Sequence, residues 1–162
     1  MRVTTTLILA LTALAGCQTL GGSAPLASID NETATTQIGH IDRLEPLTDA
    51  QLPERQCGMI LWTLDAQRPS PIFRFVSEQD AQIAVGGKTI NLQRVGFDGQ
   101  SGFGVFENQT FTSVEGVNVD VEAQFGLSFD GGVYLERGIV KVTGADGWSV
   151  VSPAAGIAGC RS

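Results

Sequence analysis

The sequence of 162 residues has little charge and few basic residues. Lysine and arginine number 10 against 17 acidic residues, so the formal net charge is −7, and no three basic residues stand together. Proteins that bind nucleic acids present a basic face to the phosphates, so the sequence excludes a nucleic-acid partner. An acidic surface attracts cationic partners over long distances, although it can also serve solubility alone.

Residues and motifs that bind metals or carry catalysis are also scarce. His40 is the only histidine, and no cysteine, second histidine or pair of carboxylates stands beside it. A metal site needs a cluster of such ligands, so we predict neither a metal site nor another cofactor. A Ser–His–Asp triad would depend on His40, and the sequence has no Gly-x-Ser-x-Gly motif. GGKT at 86–89 lacks the upstream glycine spacing of a phosphate-binding loop.

Three aspartates remain as candidates for acid–base chemistry. Asp98, Asp130 and Asp146 could converge into a glycosidase-like pair of carboxylates. Each of them precedes a glycine, however, and Asp-Gly is a typical turn sequence. We therefore predict that the protein is not an enzyme, and a hydrolase that uses these turn carboxylates is the alternative.

The sequence also lacks long helical patterns. After Cys57 no stretch of ten residues shows helical periodicity, and short apolar runs alternate with glycine-rich turns. Gly86-Gly87 permits the positive φ of a two-residue hairpin turn. Over 117–121 valines alternate with polar residues, as in a strand with one buried face. We predict a single antiparallel β-barrel or sandwich of about eight strands. The predicted strands are 58–64, 71–77, 81–85, 88–95, 103–113, 116–129, 132–143 and 147–151.

Residues 1–16 have the layout of a secretory signal peptide: Arg2, an apolar run over 7–14, then Ala15 and Gly16. LAGC at 14–17 closely resembles the lipobox of bacterial lipoproteins. That resemblance implies that diacylglycerol is attached to Cys17, that the leader is cut before it and that the new amine is acylated. Gln18 stands where an aspartate would retain such a protein at the inner membrane. The resemblance therefore implies a protein lipid-anchored in the outer membrane and facing the periplasm.

The segment after the lipobox is small, polar and poor in aromatic residues. Such a composition does not bury enough surface to fold alone. We predict a flexible tether over 17–50, with a short helical turn capped by Thr48, and a β-rich globular domain over 51–162.

Cys57 and Cys160 open and close this domain. The lipoprotein resemblance implies an oxidising compartment, where two spare thiols tend to pair. We therefore predict a Cys57–Cys160 disulfide, which in the chain-entropy account contributes up to ~4.7 kcal/mol. A redox-active pair is the alternative, but the Cys-x-x-Cys spacing typical of such pairs is missing.

A second resemblance concerns residues 81–122, which are similar to the middle of the membrane-bound inhibitors of c-type lysozyme. The similar elements are Leu-x-Arg-Val at 92–95, Ser-Gly-aromatic at 101–103 and Phe-x-x-x-x-Gly at 111–116. That family consists of small lipoproteins with an eight-stranded β-barrel, in which a serine and a lysine of this segment enter the lysozyme cleft. The resemblance implies that Ser101 is the binding serine. Glu115-Gly116 stands where the family has lysine-glycine, which reverses the charge there.

The sequence therefore predicts a non-enzymatic binding or envelope-support module in the bacterial outer membrane. Its expected partners are the membrane, through the lipid anchor, and an envelope protein or hydrolase. A lysozyme-inhibitor-like protein and an envelope hydrolase are the alternatives.

Overall fold

Eight antiparallel strands close into a barrel in the computed structural model, which describes residues 41–162. Each strand pairs with the next along the chain, and β1 pairs with β8 to close the ring. The strands are β1 Cys57–Thr63, β2 Pro71–Val76, β3 Asp80–Val85, β4 Lys88–Gly102, β5 Val105–Thr112, β6 Asn118–Phe129, β7 Gly132–Thr143 and β8 Ser149–Cys160. This confirms the predicted all-β fold and shows that it is a barrel rather than a sandwich.

The interior of the barrel is filled by one apolar cluster. Val119 and Val121 of β6 are buried while the residues between and after them are more exposed, as their alternation predicts. Phe73 and Phe75 of β2 each pack edge-on against Phe111 of β5, with ring centroids 5.2 and 5.3 Å apart. Edge-to-face ring pairs of this kind add to the stabilisation from area burial. Packed side chains therefore occupy the centre of the barrel.

The barrel has two distinct ends, because consecutive loops of an up-and-down barrel alternate between them. One end carries the loops 64–70, 86–87, 113–117 and 144–148, and we call it the Ile41 end after a residue buried there. The other end carries the turns 77–79, 103–104 and 130–131. Because Cys57 and Cys160 also lie there, we call it the disulfide end.

Residues 41–56 form a strap that starts at the Ile41 end and runs over the outside of the barrel. Ile41 is fully buried in the central cluster, beside the β7–β8 turn. The backbone amides of Glu45 and Leu47 donate hydrogen bonds to carbonyl oxygens of β3 and β2, at 2.9 and 2.7 Å. Leu52 then packs against outward-facing side chains of β1 and β2. The strap thus covers one wall of the barrel from end to end.

The strap corrects the predicted boundary between tether and domain. Residues 41–50, expected to be the last part of a tether over 17–50, belong to the folded domain. Local composition conceals this, because the surface that buries Ile41 and Leu47 comes from distant strands. The helical turn expected at Thr48 was also wrong, since the described residues contain no helix.

Two strands are longer than predicted. β4 continues through Asp98-Gly99, where the sequence predicted a turn. Gly99 does have a positive φ of 85°, but at a shift of register within the β4–β5 pairing. β8 continues to Cys160 through small residues and a proline, which have low strand propensity. A Cβ at Gly156 would collide with the carbonyl oxygen of Ile60, so the small residues allow β8 to approach β1 closely.

Cys57 and Cys160 form the predicted disulfide. They face each other as register partners of β1 and β8, with their Cα atoms 3.9 Å apart. The bridge joins residues separated by 103 positions and therefore links the first and last strands at the point where the barrel closes. A cross-link over such a separation restricts the unfolded chain strongly.

The predicted signal peptide over 1–16, the lipid attachment at Cys17, and Gln18 and His40 lie outside the described residues. Within residues 41–162 no helix is long and apolar enough to cross a membrane.

Candidate binding site at the disulfide end

The β4–β5 hairpin bends across the disulfide end of the barrel. Its pairing shifts register twice, once after Arg94 and again between Asp98 and Ser101. Such bulges increase the local twist and bend a strand pair away from its course. The connecting turn, Phe103-Gly104, has positive φ at both positions, 58° and 76°. This is the conformation of a tight two-residue hairpin turn, in which Asn-Gly is the favoured sequence.

The tip of the hairpin rests on the β2–β3 turn. A Cβ at Gly104 would collide with the hydroxyl of Ser77 and would lie 2.6 Å from the Cβ of the same serine. Glycine allows this approach, and it also tolerates the positive φ. The hairpin is therefore seated on the body of the barrel.

Arg94 ties the hairpin down from inside. Its Nη1 donates a hydrogen bond of 2.8 Å to the carbonyl oxygen of Gly104 and another of 2.9 Å to Oε1 of Gln109. The first bond holds the tip of the hairpin, and the second holds the middle of β5. Hydrogen bonds from a charged donor are stronger than neutral ones, so Arg94 acts as a clasp between the two strands.

Three aromatic rings surround the guanidinium of Arg94. Its central carbon lies 4.8 Å from the ring centroid of Phe75, 4.9 Å from that of Phe97 and 5.4 Å from that of Phe106. Cations are attracted to the faces of aromatic rings at these distances. Burial lowers the pKa of Arg94 from its usual value, and the negative charge of Glu78 opposes this. Because arginine titrates far above neutral pH, the clasp keeps its charge.

Gln109 completes the clasp. It is the one polar or charged residue among those described that is classed as buried, with 3% of its surface exposed. Its Nε2 donates to the carbonyl oxygen of Phe106 at 3.2 Å and to the sulfur of Met59 at 3.8 Å, while its Oε1 accepts from Arg94. Both ends of the buried amide therefore have partners, which avoids the cost of an unsatisfied polar group.

The hairpin exposes apolar and polar side chains together. Phe97 is 57% exposed, and its ring stacks on Phe106 with centroids 4.3 Å apart. Phe103 and Ser101 are exposed beside it. Phe103 has a positive φ, which is a strained conformation for a residue other than glycine. Strain of this kind concentrates at functional sites. The surface formed by Phe97, Ser101 and Phe103, which we call the hairpin surface, is therefore the candidate binding site.

An acidic cleft of ≈ 380 Å³ lies on the barrel wall next to the hairpin. Asp98 accepts a hydrogen bond of 2.6 Å from Asn108, and Asp120 accepts one of 3.2 Å from Thr110. Glu122 also lines the cleft, with Lys141 as its only cationic lining residue. The cleft therefore adds negative charge to the side of the hairpin surface.

The candidate residues that the sequence suggested lie far apart in the structure. Asp130 and Asp146 lie in turns at opposite ends of the barrel, and Asp98 lies on its wall. Ser101 lies near the disulfide end, whereas Glu115 lies in the β5–β6 turn at the Ile41 end. Within residues 41–162 no group of three or more histidine, cysteine, aspartate or glutamate side chains could hold a metal ion.

Arg94 and Gln109 were not identified from the sequence. A signal for both was present in the alternation of their strands. Arg94 follows Ile90 and Leu92 at the inward positions of β4, and Gln109 precedes Phe111 at the inward positions of β5. Polar residues at the inward positions of two neighbouring strands predict that the two side chains meet.

Comparison with protein-family models, with curated proteins and with solved structures found no match to the chain.

Proposed function

We propose that this protein is a non-enzymatic binding module, anchored in the bacterial outer membrane through lipid on Cys17 and facing the periplasm, that binds an envelope protein through the hairpin surface. The observation that carries the proposal is the clasp. Arg94 holds the hairpin at 2.8 Å from its tip while Phe97 and Phe103 remain exposed. A preorganised surface with exposed aromatic rings loses little entropy when it binds a partner.

The distribution of polar groups favours binding over chemistry. Asp98, Asp130 and Asp146 do not converge, and the centre of the barrel is occupied by apolar side chains. The hairpin surface, in contrast, combines a rigid backbone, two exposed rings and a serine hydroxyl. The same arrangement argues against the envelope hydrolase that the turn carboxylates suggested.

Charge favours a cationic partner. The acidic cleft beside the hairpin surface and the net charge of −7 would attract a basic protein and speed its approach. The attraction of such a partner should weaken with added salt, because the screening length falls to about 8 Å at physiological ionic strength.

The anchoring part of the proposal rests on the lipobox at 14–17 and on the Cys57–Cys160 disulfide, which suits an oxidising compartment. The mass of the N-terminal peptide of the protein isolated from membranes tests it. We expect a peptide that starts at Cys17 and carries acyl chains; a peptide with a free Cys17 thiol would contradict the anchor.

Paired variants test the binding surface. Phe97→Ser should abolish co-purification of the crosslinked envelope partner, and Phe97→Tyr, which keeps the ring, should restore it. Val114→Ser removes an exposed apolar side chain at the opposite end of the barrel and should leave the partner bound. Retention of the partner by Phe97→Ser, or its loss from Val114→Ser, would contradict the proposed surface.

A second candidate function is inhibition of a c-type lysozyme. It is favoured by the exposed Ser101 beside the hairpin turn and by the acidic cleft, since that enzyme class is cationic. Glu115 replaces the family's lysine and lies at the opposite end of the barrel, so the hairpin surface would act alone. The purified protein should inhibit lysozyme and Ser101→Trp should remove the inhibition; no inhibition by the unaltered protein would eliminate this candidate.

A further inference from the structure

Three loops at the Ile41 end carry exposed apolar side chains. Val114 is 99% exposed, Leu64 is 59% exposed and Trp148 is 55% exposed. They belong to the β5–β6, β1–β2 and β7–β8 connections, which the barrel topology places at the same end. Three separate loops at one end of the barrel therefore carry exposed apolar side chains.

Hydrogen bonds order the backbone of these three loops. Backbone hydrogen bonds close the base of each loop: Thr63 N to Ser70 O, Ser113 N to Val117 O and Gly144 N to Trp148 O, at 2.9, 2.9 and 2.8 Å. Side chains reinforce all three, since Oγ1 of Thr63 accepts from the amide of Ser70, Oγ of Ser113 from that of Val117 and Oδ1 of Asp146 from that of Trp148, at 3.1, 3.2 and 3.0 Å. These hydrogen bonds order the backbone of the three loops, which limits the entropy that the backbone loses on binding.

The position of the strap indicates that this end of the barrel lies near the membrane. The described chain begins at Ile41, which is buried in this same end, so the segment leading back to Cys17 joins the barrel here. The flexible tether that composition predicts would span about 27 Å over the roughly 24 residues from Cys17 to the barrel, which would keep this end near the membrane without fixing its orientation. Tryptophan is enriched where protein meets the lipid–water interface, because its ring has an apolar body and one polar N–H.

We propose that the Ile41 end docks on the membrane surface, with Leu64, Val114 and Trp148 inserted into the lipid–water interface. This rests on the proposed lipid anchor and extends it, because the docked barrel directs the hairpin surface away from the membrane and towards a periplasmic partner. The two ends of the barrel then have separate tasks.

The charges at this end define the type of lipid contact. Among residues 41–162, the basic residues there are Arg43, Arg68 and Lys88, and the acidic ones are Asp42, Glu45, Asp65, Glu115 and Asp146. Because acidic residues outnumber basic ones, attraction to anionic headgroups does not drive the docking. Apolar insertion drives it against the repulsion from those headgroups, so binding to vesicles should weaken as the anionic lipid fraction rises and should recover with added salt.

Tryptophan fluorescence tests the docking directly. The chain from residue 17 with Cys17→Ser cannot carry the lipid, and Trp62→Phe leaves Trp148 as its only tryptophan. With vesicles of phosphatidylethanolamine and phosphatidylglycerol, emission of Trp148 should shift to shorter wavelength and be quenched by brominated phospholipids. An unshifted, unquenched emission would overturn the proposal.

Two further variants keep the test valid if changes at Trp148 disturb the fold. Val114→Ser and Leu64→Ser should each lower the vesicle partition coefficient about tenfold, which corresponds to partial burial of one apolar side chain. Leu127→Ser, at the other end, should leave it unchanged. Equal effects of Val114→Ser and Leu127→Ser would overturn the proposal. Because this chain lacks the Cys17 thiol, the outcome is independent of whether the native protein is lipidated.

Discussion

The guanidinium of Arg94 donates a hydrogen bond of 2.8 Å to the carbonyl oxygen of Gly104, and so ties the tip of the β4–β5 hairpin to the barrel. The same group bonds to Gln109 and lies against the rings of Phe75 and Phe97. One side chain thus joins the barrel core to the candidate binding surface. The order of that surface should depend on Arg94 more than on any exposed arginine.

Replacing Arg94 should destabilise the protein and loosen the hairpin. Arg94→Met keeps an apolar side chain but removes both hydrogen bonds and leaves Oε1 of Gln109 unpaired. We expect the free energy of unfolding to fall by about 3 kcal/mol in urea denaturation. Arg68→Met, in the exposed β1–β2 loop, should change it by less than about 0.5 kcal/mol. Equal stability of the two variants would show that the hydrogen bonds of Arg94 do not stabilise the hairpin.

Two glycines with nearly the same backbone angle separate strain from packing. Gly104 and Gly87 have φ of 76° and 74°, but a Cβ at Gly87 meets nothing within 4 Å whereas one at Gly104 collides with Ser77. Gly87→Ala should cost about 1 kcal/mol through backbone strain alone. Gly104→Ala should cost about 1–3 kcal/mol more, because overpacking lifts the tip of the hairpin. Hydrogen exchange of the β4–β5 amides should rise in Gly104→Ala only; equal costs would contradict the seating of the hairpin on Ser77.

Phe103 should show a conflict between stability and binding. Its φ of 58° suits asparagine or glycine, and Phe103→Asn creates the Asn-Gly pair favoured in such a turn. We expect the free energy of unfolding to be unchanged or to rise by up to about 1 kcal/mol, which a thermal melt would detect. Partner binding should weaken. If Phe103→Asn binds as well as the unaltered protein, the ring serves no binding role.

Ile41 should contribute to stability as a core residue does. Ile41→Ala should lower the unfolding free energy by about 2–5 kcal/mol, since it empties a fully buried site. Leu64→Ala, in an exposed loop, is the matched control and should change it by less than about 0.5 kcal/mol. An unchanged stability of Ile41→Ala would mean that residues 41–50 are part of the tether after all.

Much of the barrel is predictable because alternating burial is a local pattern. In β6 the pairs of valine and polar residues define the inward face without reference to other strands. The second half of β8 is different, because its run from Pro153 to Gly159 has low strand propensity. The need for small residues there arises from the close approach of Gly156 to Ile60, which is set by the closure of the barrel.

The candidate site was less predictable for a related reason. Ser101 was proposed from a resemblance, but the residues that order its surroundings, Arg94 and Gln109, are 15 positions apart and meet only across two paired strands. Asp98-Gly99 has the sequence of a turn, and its glycine does adopt positive φ. Pairing with β5 on both sides of it, however, makes it a bulge within a strand.

Site-specific photocrosslinking in living cells tests the central claim most directly. A photoreactive phenylalanine analogue at position 97 should give one discrete adduct with an envelope protein, and the same analogue at position 114, at the opposite end of the barrel, should not give that adduct. Added salt in isolated envelopes should reduce the adduct if the partner is cationic. No adduct from position 97, or the same adduct from both positions, would contradict binding through the hairpin surface.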